Sequence, residues 1–208
     1  MSYEKEIKEK INGHEKLPER IEISVLKYFW QSNPLVGRKK DTIPRFLRKM
    51  GVFSNFSENE LRIFAKFLHH RKFSPGETIF KQGELGVGFY LIFSGYTDIV
   101  VDSISPESNE GQGGNRHILT LEKGDYFGEL ALLQETSVRN GSAISRQGCE
   151  LLGIFKPDVE ELINTYPLIA AKLLQSVSLI VANRLFNLTR EVQELKFKLS
   201  SYEKDANA

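Results

Sequence analysis

From about residue 72 to residue 156 the chain breaks into short β-prone runs punctuated by glycine, and that texture limits its fold more than any other feature. The runs 78–81, 89–93, 97–102, 117–121 and 151–155 are rich in β-branched and aromatic residues. Between them stand Pro75-Gly76, Gly83, Gly86, Gly88, Gly95 and Lys123-Gly124-Asp125, residue types that favour turn geometry. Short strands at this spacing predict an antiparallel roll or barrel. The polar, glycine-rich stretch 103–115 reads as a hairpin loop.

The flanks have a different period. Ser57 followed by Glu60 forms a capping box, and Leu61, Phe64, Ala65 and Leu68 continue at helical spacing. Residues 1–45 read as a helical extension, broken near Asn33-Pro34 and again before Pro44. From Pro167 the chain is helical almost to its end, with proline suited to the first turn. Leu174, Val181, Leu185, Leu188, Val192, Leu195 and Leu199 alternate at spacings of four and three, the period of a coiled-coil seam. Placing Leu185, Val192 and Leu199 at a makes Leu188 and Leu195 d, and sets Glu191 (g) against Lys196 (e) across a parallel homodimer. The expected fold class is therefore α+β. A jelly-roll-like antiparallel β-roll over 46–166 is flanked by helices, with a long dimerisation helix over 167–208.

Several function classes fall away. The net charge of +1 lacks the basic surplus of a general nucleic-acid binder. Residues 1–50 are locally basic, with twelve Lys/Arg against seven Asp/Glu, which a solvated helix face or a docking surface for an acidic partner explains. The single Cys149 cannot form an internal disulfide, the start MSYEKEIKEK is charged, and no apolar run approaches the roughly 20 residues of a membrane span. A cytoplasmic protein without membrane insertion is expected. His14, His69, His70 and His117 show no metal-ligand spacing, so no metal is expected, and His69-His70 reads as a surface pair at a helix end. Cys149 reads as a passive thiol beside a turn that precedes the last strand. No nucleophile–base pattern, P-loop or paired carboxylates stand out, and no enzyme is expected.

The chemistry concentrates in DYFGELALLQETSVRNGS, residues 125–142. Gly128 permits a close backbone approach, and the strong helix formers from Glu129 to Leu133 predict a short helix whose first amides suit an anion. Arg139 follows ten residues after Glu129, and its planar fork can grip two phosphate oxygens. A carboxylate beside an anion site needs a donor of its own, and a sugar hydroxyl supplies one.

FGELALL followed by arginine and a cluster of small residues resembles the phosphate-binding cassette of cyclic nucleotide-binding domains. FSPGETIFKQGELGVGFYLIFSG resembles the opening strands of that family, and VSLIVANRLFNLTREVQELKF resembles the dimerising helix of bacterial catabolite activator-type receptors. The likeness covers about residues 53–197. The Glu-to-Arg interval matches those receptors, whereas kinase regulatory subunits are one residue shorter there. The resemblance implies cAMP or cGMP as ligand, with cAMP favoured. Glu129 would accept from the ribose 2′-hydroxyl, Arg139 would pair with the cyclic phosphate, and the amides of Leu130 and Ala131 would assist beside Gly128. Asn140 and Ser142 fall where relatives carry small or hydroxyl residues. The purine would lie against Leu188 and Thr189, with Arg184 and Asn187 nearby; Leu188 departs from the polar residue usual in the bacterial activators. The chain ends without room for their DNA-binding domain, so the expected output is an unidentified downstream protein and not nucleic acid. The competing expectation is a ligand-independent β-roll scaffold with a degenerate pocket.

Overall fold

The computed structural model describes residues 42–102 and 115–206. The expected extension lies outside them up to residue 41, as does the 103–114 part of the hairpin loop. Two short helices, α1 (Thr42–Arg48) and α2 (Glu58–Phe64), precede the sheet, each followed by a 3-10 turn, at Gly51–Phe53 and Ala65–Phe67. The strands are β1 (His69–Phe73), β2 (Thr78–Phe80), β3 (Gly88–Asp102), β4 (Asn115–Leu121), β5 (Tyr126–Phe127) and β6 (Ser142–Phe155). The short helix α3 (Leu130–Leu133) lies between β5 and β6, and α4 (Lys156–Thr165) and α5 (Pro167–Ala206) close the chain.

All pairings are antiparallel, in the order β1-β6-β3-β4, with β2 added to β6 and β5 to β3. The alternating side-chain directions of the long strands separate two cores. Phe89, Leu91, Leu152 and Ile154 face the helices, where they meet Leu47, Phe64, Leu162 and Leu173. Tyr90, Ile92, Leu151 and Phe155 face into the roll with Ile79, Phe80 and Phe127. β3 and β6 are each continuous where the sequence predicted separate runs and a turn. The register shifts between Ile92 and Ser94 and again between Gly95 and Thr97, bending the pair without ending it. Gly95 sits there at φ 80°, and a Cβ on it would collide with the Gly148 carbonyl. Cys149 consequently lies inside β6, buried, and burial pushes its thiol pKa up.

The helical flank also departs from expectation in two places. Pro44 does not end a helix but occupies the first turn of α1, which buries Ile43, Phe46 and Leu47 in the main core. His69 and His70 belong to β1, not to a helix end, and both are half-buried. His69 Nε2 lies 2.9 and 3.0 Å from the two Asp158 carboxylate oxygens, and His70 Nε2 lies 2.7 Å from Glu150 Oε2. The capping box is present: Ser57 Oγ accepts from Glu60 N–H, and Glu60 Oε2 accepts from Ser57 N–H.

α5 changes character along its length. Its first turns bury Ile169, Ala170, Leu173, Val177 and Ile180, and Leu174, expected on the dimer seam, packs partly on the same core. Lys172 donates to both Glu60 oxygens at 2.7 and 2.8 Å, and that bond, with the Ser57 amide, holds the Glu60 carboxyl down to about 2. Beyond Val181 the helix is exposed, including Leu185, Leu188, Val192, Leu195 and Leu199. By length and composition alone Pro167–Ser201 is long and apolar enough to cross a membrane, a test that the core helix of a globular fold also passes, and 33% of its most apolar stretch is buried inside the fold.

Candidate functional site

The site forms where β5 delivers the chain into α3 beneath the far part of α5. Gly128 turns at φ 80°, and a Cβ there would come within 2.6 Å of Arg139 Nη1 and 2.9 Å of the Gly88 carbonyl. Glycine is therefore required both by the dihedral and by the approach of the guanidinium. Arg139 is held on all sides. Its main chain is laced to the preceding loop, Arg139 N–H donating to Glu84 O and Gly83 N–H donating to Arg139 O. Its side chain, 5% exposed, lies 4.1 Å over the Phe80 ring and donates to the Gly88 carbonyl at 2.7 Å and the Gly128 carbonyl at 3.2 Å. Phe80 in turn packs on Phe127, which stacks on Tyr90. The cation is fixed by ring faces and carbonyls, which leaves little rotamer freedom to lose on meeting an anion.

Glu129 is 4% exposed. Its Oε1 accepts from Arg184 Nη1 at 2.6 Å, and Arg184 Nη2 donates to the Tyr126 carbonyl, so this arginine ties α5 to the roll. Glu129 Oε2 is buried and has no hydrogen-bond partner. A buried carboxylate oxygen left unpaired costs free energy, on the order of 1–3 kcal/mol, unless a donor arrives.

Glu129 and Arg139 line one cavity of about 440 Å³, within the range of about 300–1,000 Å³ usual for small-molecule sites. Ile99, Leu119 and Leu121 give it an apolar wall, Gly128, Leu130, Ser137 and Asn140 line the loop side, and α5 contributes Arg184, Asn187, Leu188 and Glu191. Of the residues expected from sequence, the fold brings together Gly128, Glu129, Leu130, Arg139, Asn140 and Leu188. Ala131 is fully buried beneath the loop, and its N–H already donates to Gly128 O at 3.1 Å, so it is not a spare amide. Ser142 is outside the lining and accepts from Gln82 N–H through Oγ. Thr189 is outside it too, its hydroxyl donating back to Leu185 O on α5.

Sequence reading missed the ring support from Phe80 and the pairing of Arg184 with the buried acid. Its signal was available: Arg184, Asn187, Leu188 and Glu191 fall on one helix face by their three- and four-residue spacing, and a buried acid calls for a cation. Among the described residues no group of three or more metal-ligating side chains is found.

A bent antiparallel roll whose short helix and following arginine share one cavity with a long C-terminal helix has the architecture of a small-ligand-binding domain. The comparisons give the family: residues 70–166 match the cyclic nucleotide-binding domain model, and this part of the chain belongs to that family. The chain is 30% identical over 147 residues to the cyclic AMP receptor protein of Thermus thermophilus, across 71% of this chain and 62% of that protein. It is 34% identical over 119 residues to the cGMP-dependent protein kinase egl-4 of Caenorhabditis elegans, across 57% of this chain and 14% of the kinase. The crystal structure of the Thermus thermophilus catabolite activator protein superposes with a TM-score of 0.58 at 30% identity, covering 70% of this chain and 63% of that one. The chain thus spans less than two thirds of these relatives' own length.

Proposed function

We propose that this chain is a non-enzymatic, dimeric cytoplasmic receptor for a cyclic purine nucleotide, cAMP in preference to cGMP. The observation that carries the reading is the unpartnered, buried Oε2 of Glu129 in the same cavity as the fixed Arg139 guanidinium. A ribose 2′-hydroxyl would donate to that oxygen, the cyclic phosphate would meet Arg139 and the Leu130 amide, and the purine would lie along Ile99, Leu119 and Leu121 beneath Leu188. The Thermus relative, named a cyclic AMP receptor, favours cAMP, and the egl-4 likeness keeps cGMP as the competing ligand. The Thr189 hydroxyl donates to Leu185 O, so toward a base it would serve only as an acceptor.

Arg184 suggests how occupancy would be transmitted. It belongs to α5 and holds the other oxygen of the acid that would hold the sugar. Ligand would then prefer the state with α5 docked, and shifts that equilibrium only by its difference in affinity between docked and undocked states. The exposed seam from Leu185 to Leu199 would pair two copies, so the change would be read out by a dimer and passed to another protein.

Isothermal titration tests the reading. Saturable binding of cAMP, weaker binding of cGMP, and loss of both in Arg139→Ala are expected. The absence of heat with either nucleotide at millimolar concentration, with unchanged melting, would favour the ligand-independent scaffold instead.

A further inference from the structure

A second concavity, of about 410 Å³, opens between α1 and the end of α2. Its apolar lining is Ile43, Pro44 and Ala65, of which Ile43 is buried and the other two half-buried. Its polar lining is Arg45, Arg62, Lys66 and Glu58, all exposed. Arg48 reaches Glu58 at 2.6 Å, joining α1 to α2 and answering the one acid of the cleft. Arg45, Arg62 and Lys66 form no ion pair with any described residue. Arg62 and Lys66 are four residues apart on α2 and its 3-10 continuation, so they fall on neighbouring positions of one face. Three cations without an ion pair among the described residues thus surround a concavity with an apolar lining.

We propose that this cleft docks an acidic peptide segment of a partner protein, with an apolar side chain seated against Ile43, Pro44 and Ala65 and carboxylates meeting Arg45, Arg62 and Lys66. Charge complementarity sets the sign of the occupant, because like charges held together strengthen the local potential that attracts an anion. Shape and chemistry choose its class. A phosphodiester backbone has no use for an apolar lining, and a lipid surface needs a protruding contact face, not a concavity of side-chain size. Before α1 the sequence adds Arg38, Lys39 and Lys40, with the single acid Asp41 between them and the helix. The inference does not depend on the ligand of the other cavity, which shares no residue with this one.

Fluorescence anisotropy with the full chain tests it, the probe being a short fluorescein-labelled peptide in which a Leu-Phe pair is flanked by glutamates. Saturable binding is expected, weakened about tenfold by Arg45→Glu with Arg62→Glu, and by a smaller factor in the neutral pair Arg45→Gln with Arg62→Gln. A peptide of glutamates alone, a DNA duplex and phosphatidylserine vesicles should each bind several-fold more weakly at equal ionic strength. Circular dichroism and nucleotide titration of the same variants report whether they remain folded. Any of three results overturns the proposal: no saturable binding, as when another part of the chain fills the cleft; equal binding by the charge-reversed protein; or binding of the glutamate-only peptide, the duplex or the vesicles as tightly as the Leu-Phe peptide.

Discussion

Replacing Glu129 with glutamine keeps the side chain's shape and removes its charge, which isolates what the buried carboxylate contributes. In the native protein Oε1 is occupied by Arg184 at 2.6 Å and Oε2 waits without a donor. A hydrogen bond from a hydroxyl to a charged group contributes about 1.5–3 kcal/mol, against about 0.5–1.5 kcal/mol for a neutral acceptor. Removing the ligand's 2′-hydroxyl should therefore weaken native binding roughly tenfold to a hundredfold, since about 1.4 kcal/mol is a factor of ten. In Glu129→Gln the same ligand change should cost only about two- to tenfold. The assay is a four-corner cycle of native protein and Glu129→Gln against cAMP and 2′-deoxy-cAMP by isothermal titration, with an expected coupling of about 1 kcal/mol or more. Stability should move by less than about 1 kcal/mol, because Arg184 is 45% exposed and can turn to water when the charge is gone. Equal penalties for the missing hydroxyl in both proteins would refute the assignment of Oε2 to the sugar, even if nucleotide binding itself survived.

Gly128→Ala should cost at least about 1–2 kcal/mol in denaturant unfolding, from the left-handed dihedral alone, and should weaken nucleotide binding further, because the added Cβ meets Arg139 Nη1 at 2.6 Å. The Glu60 carboxyl is held at about 2 in the folded state against an ordinary 4.5, so the stability it contributes is fully present above pH 4.5 and is lost as pH falls towards 2. Lys172→Met should therefore destabilise the protein more at pH 6 than at pH 3, as read by urea midpoints. Leu195→Glu should convert a dimer to a monomer in sedimentation velocity while nucleotide binding stays saturable, its affinity shifted only by the linkage between ligand and dimer, since Leu195 is exposed and does not line the ligand cavity.

What the sequence made legible was local. Gly128, Glu129, Leu130 and Arg139 are adjacent enough in the chain for their spacing to dictate their meeting, and they meet in one cavity. The capping box at Ser57 is similarly short-ranged, and it formed. What escaped depends on partners distant in sequence. β1 was unreadable because His69-His70-Arg71-Lys72 is polar, and its place in the sheet comes from pairing with β6 some eighty residues later, where Glu150 receives His70 while Asp158 of α4 receives His69. Gly95 and Gly148 looked like turns, yet both lie inside long strands at positive φ, and Gly95 beside the bulge packs against the Gly148 carbonyl.

Thr189 and Arg184 show the same limit inside the site. Both sit on α5 within reach of the expected base by residue number, but helix geometry sends them to different tasks. Thr189 closes on its own helix through Leu185 O, while Arg184 reaches across fifty-five positions to Glu129. Family likeness is enough to bring a carboxylate and an arginine to one cavity, because both lie on the short stretch between β5 and β6. It transfers the helix side less well, because there this chain's own packing decides which side chain is spent within the protein. Leu188 belongs to two accounts at once, lining the cavity and standing on the exposed seam with Leu185, Val192 and Leu195. A nucleotide that draws α5 onto the roll would bury one flank of Leu188 and leave the other for a second chain, so ligand and dimer would be coupled through a single residue. Leu188→Ala should therefore lower nucleotide affinity and dimer stability together by direct loss of contact, whereas Leu195→Glu, which leaves every cavity-lining side chain in place, should abolish the dimer with a smaller effect on nucleotide affinity.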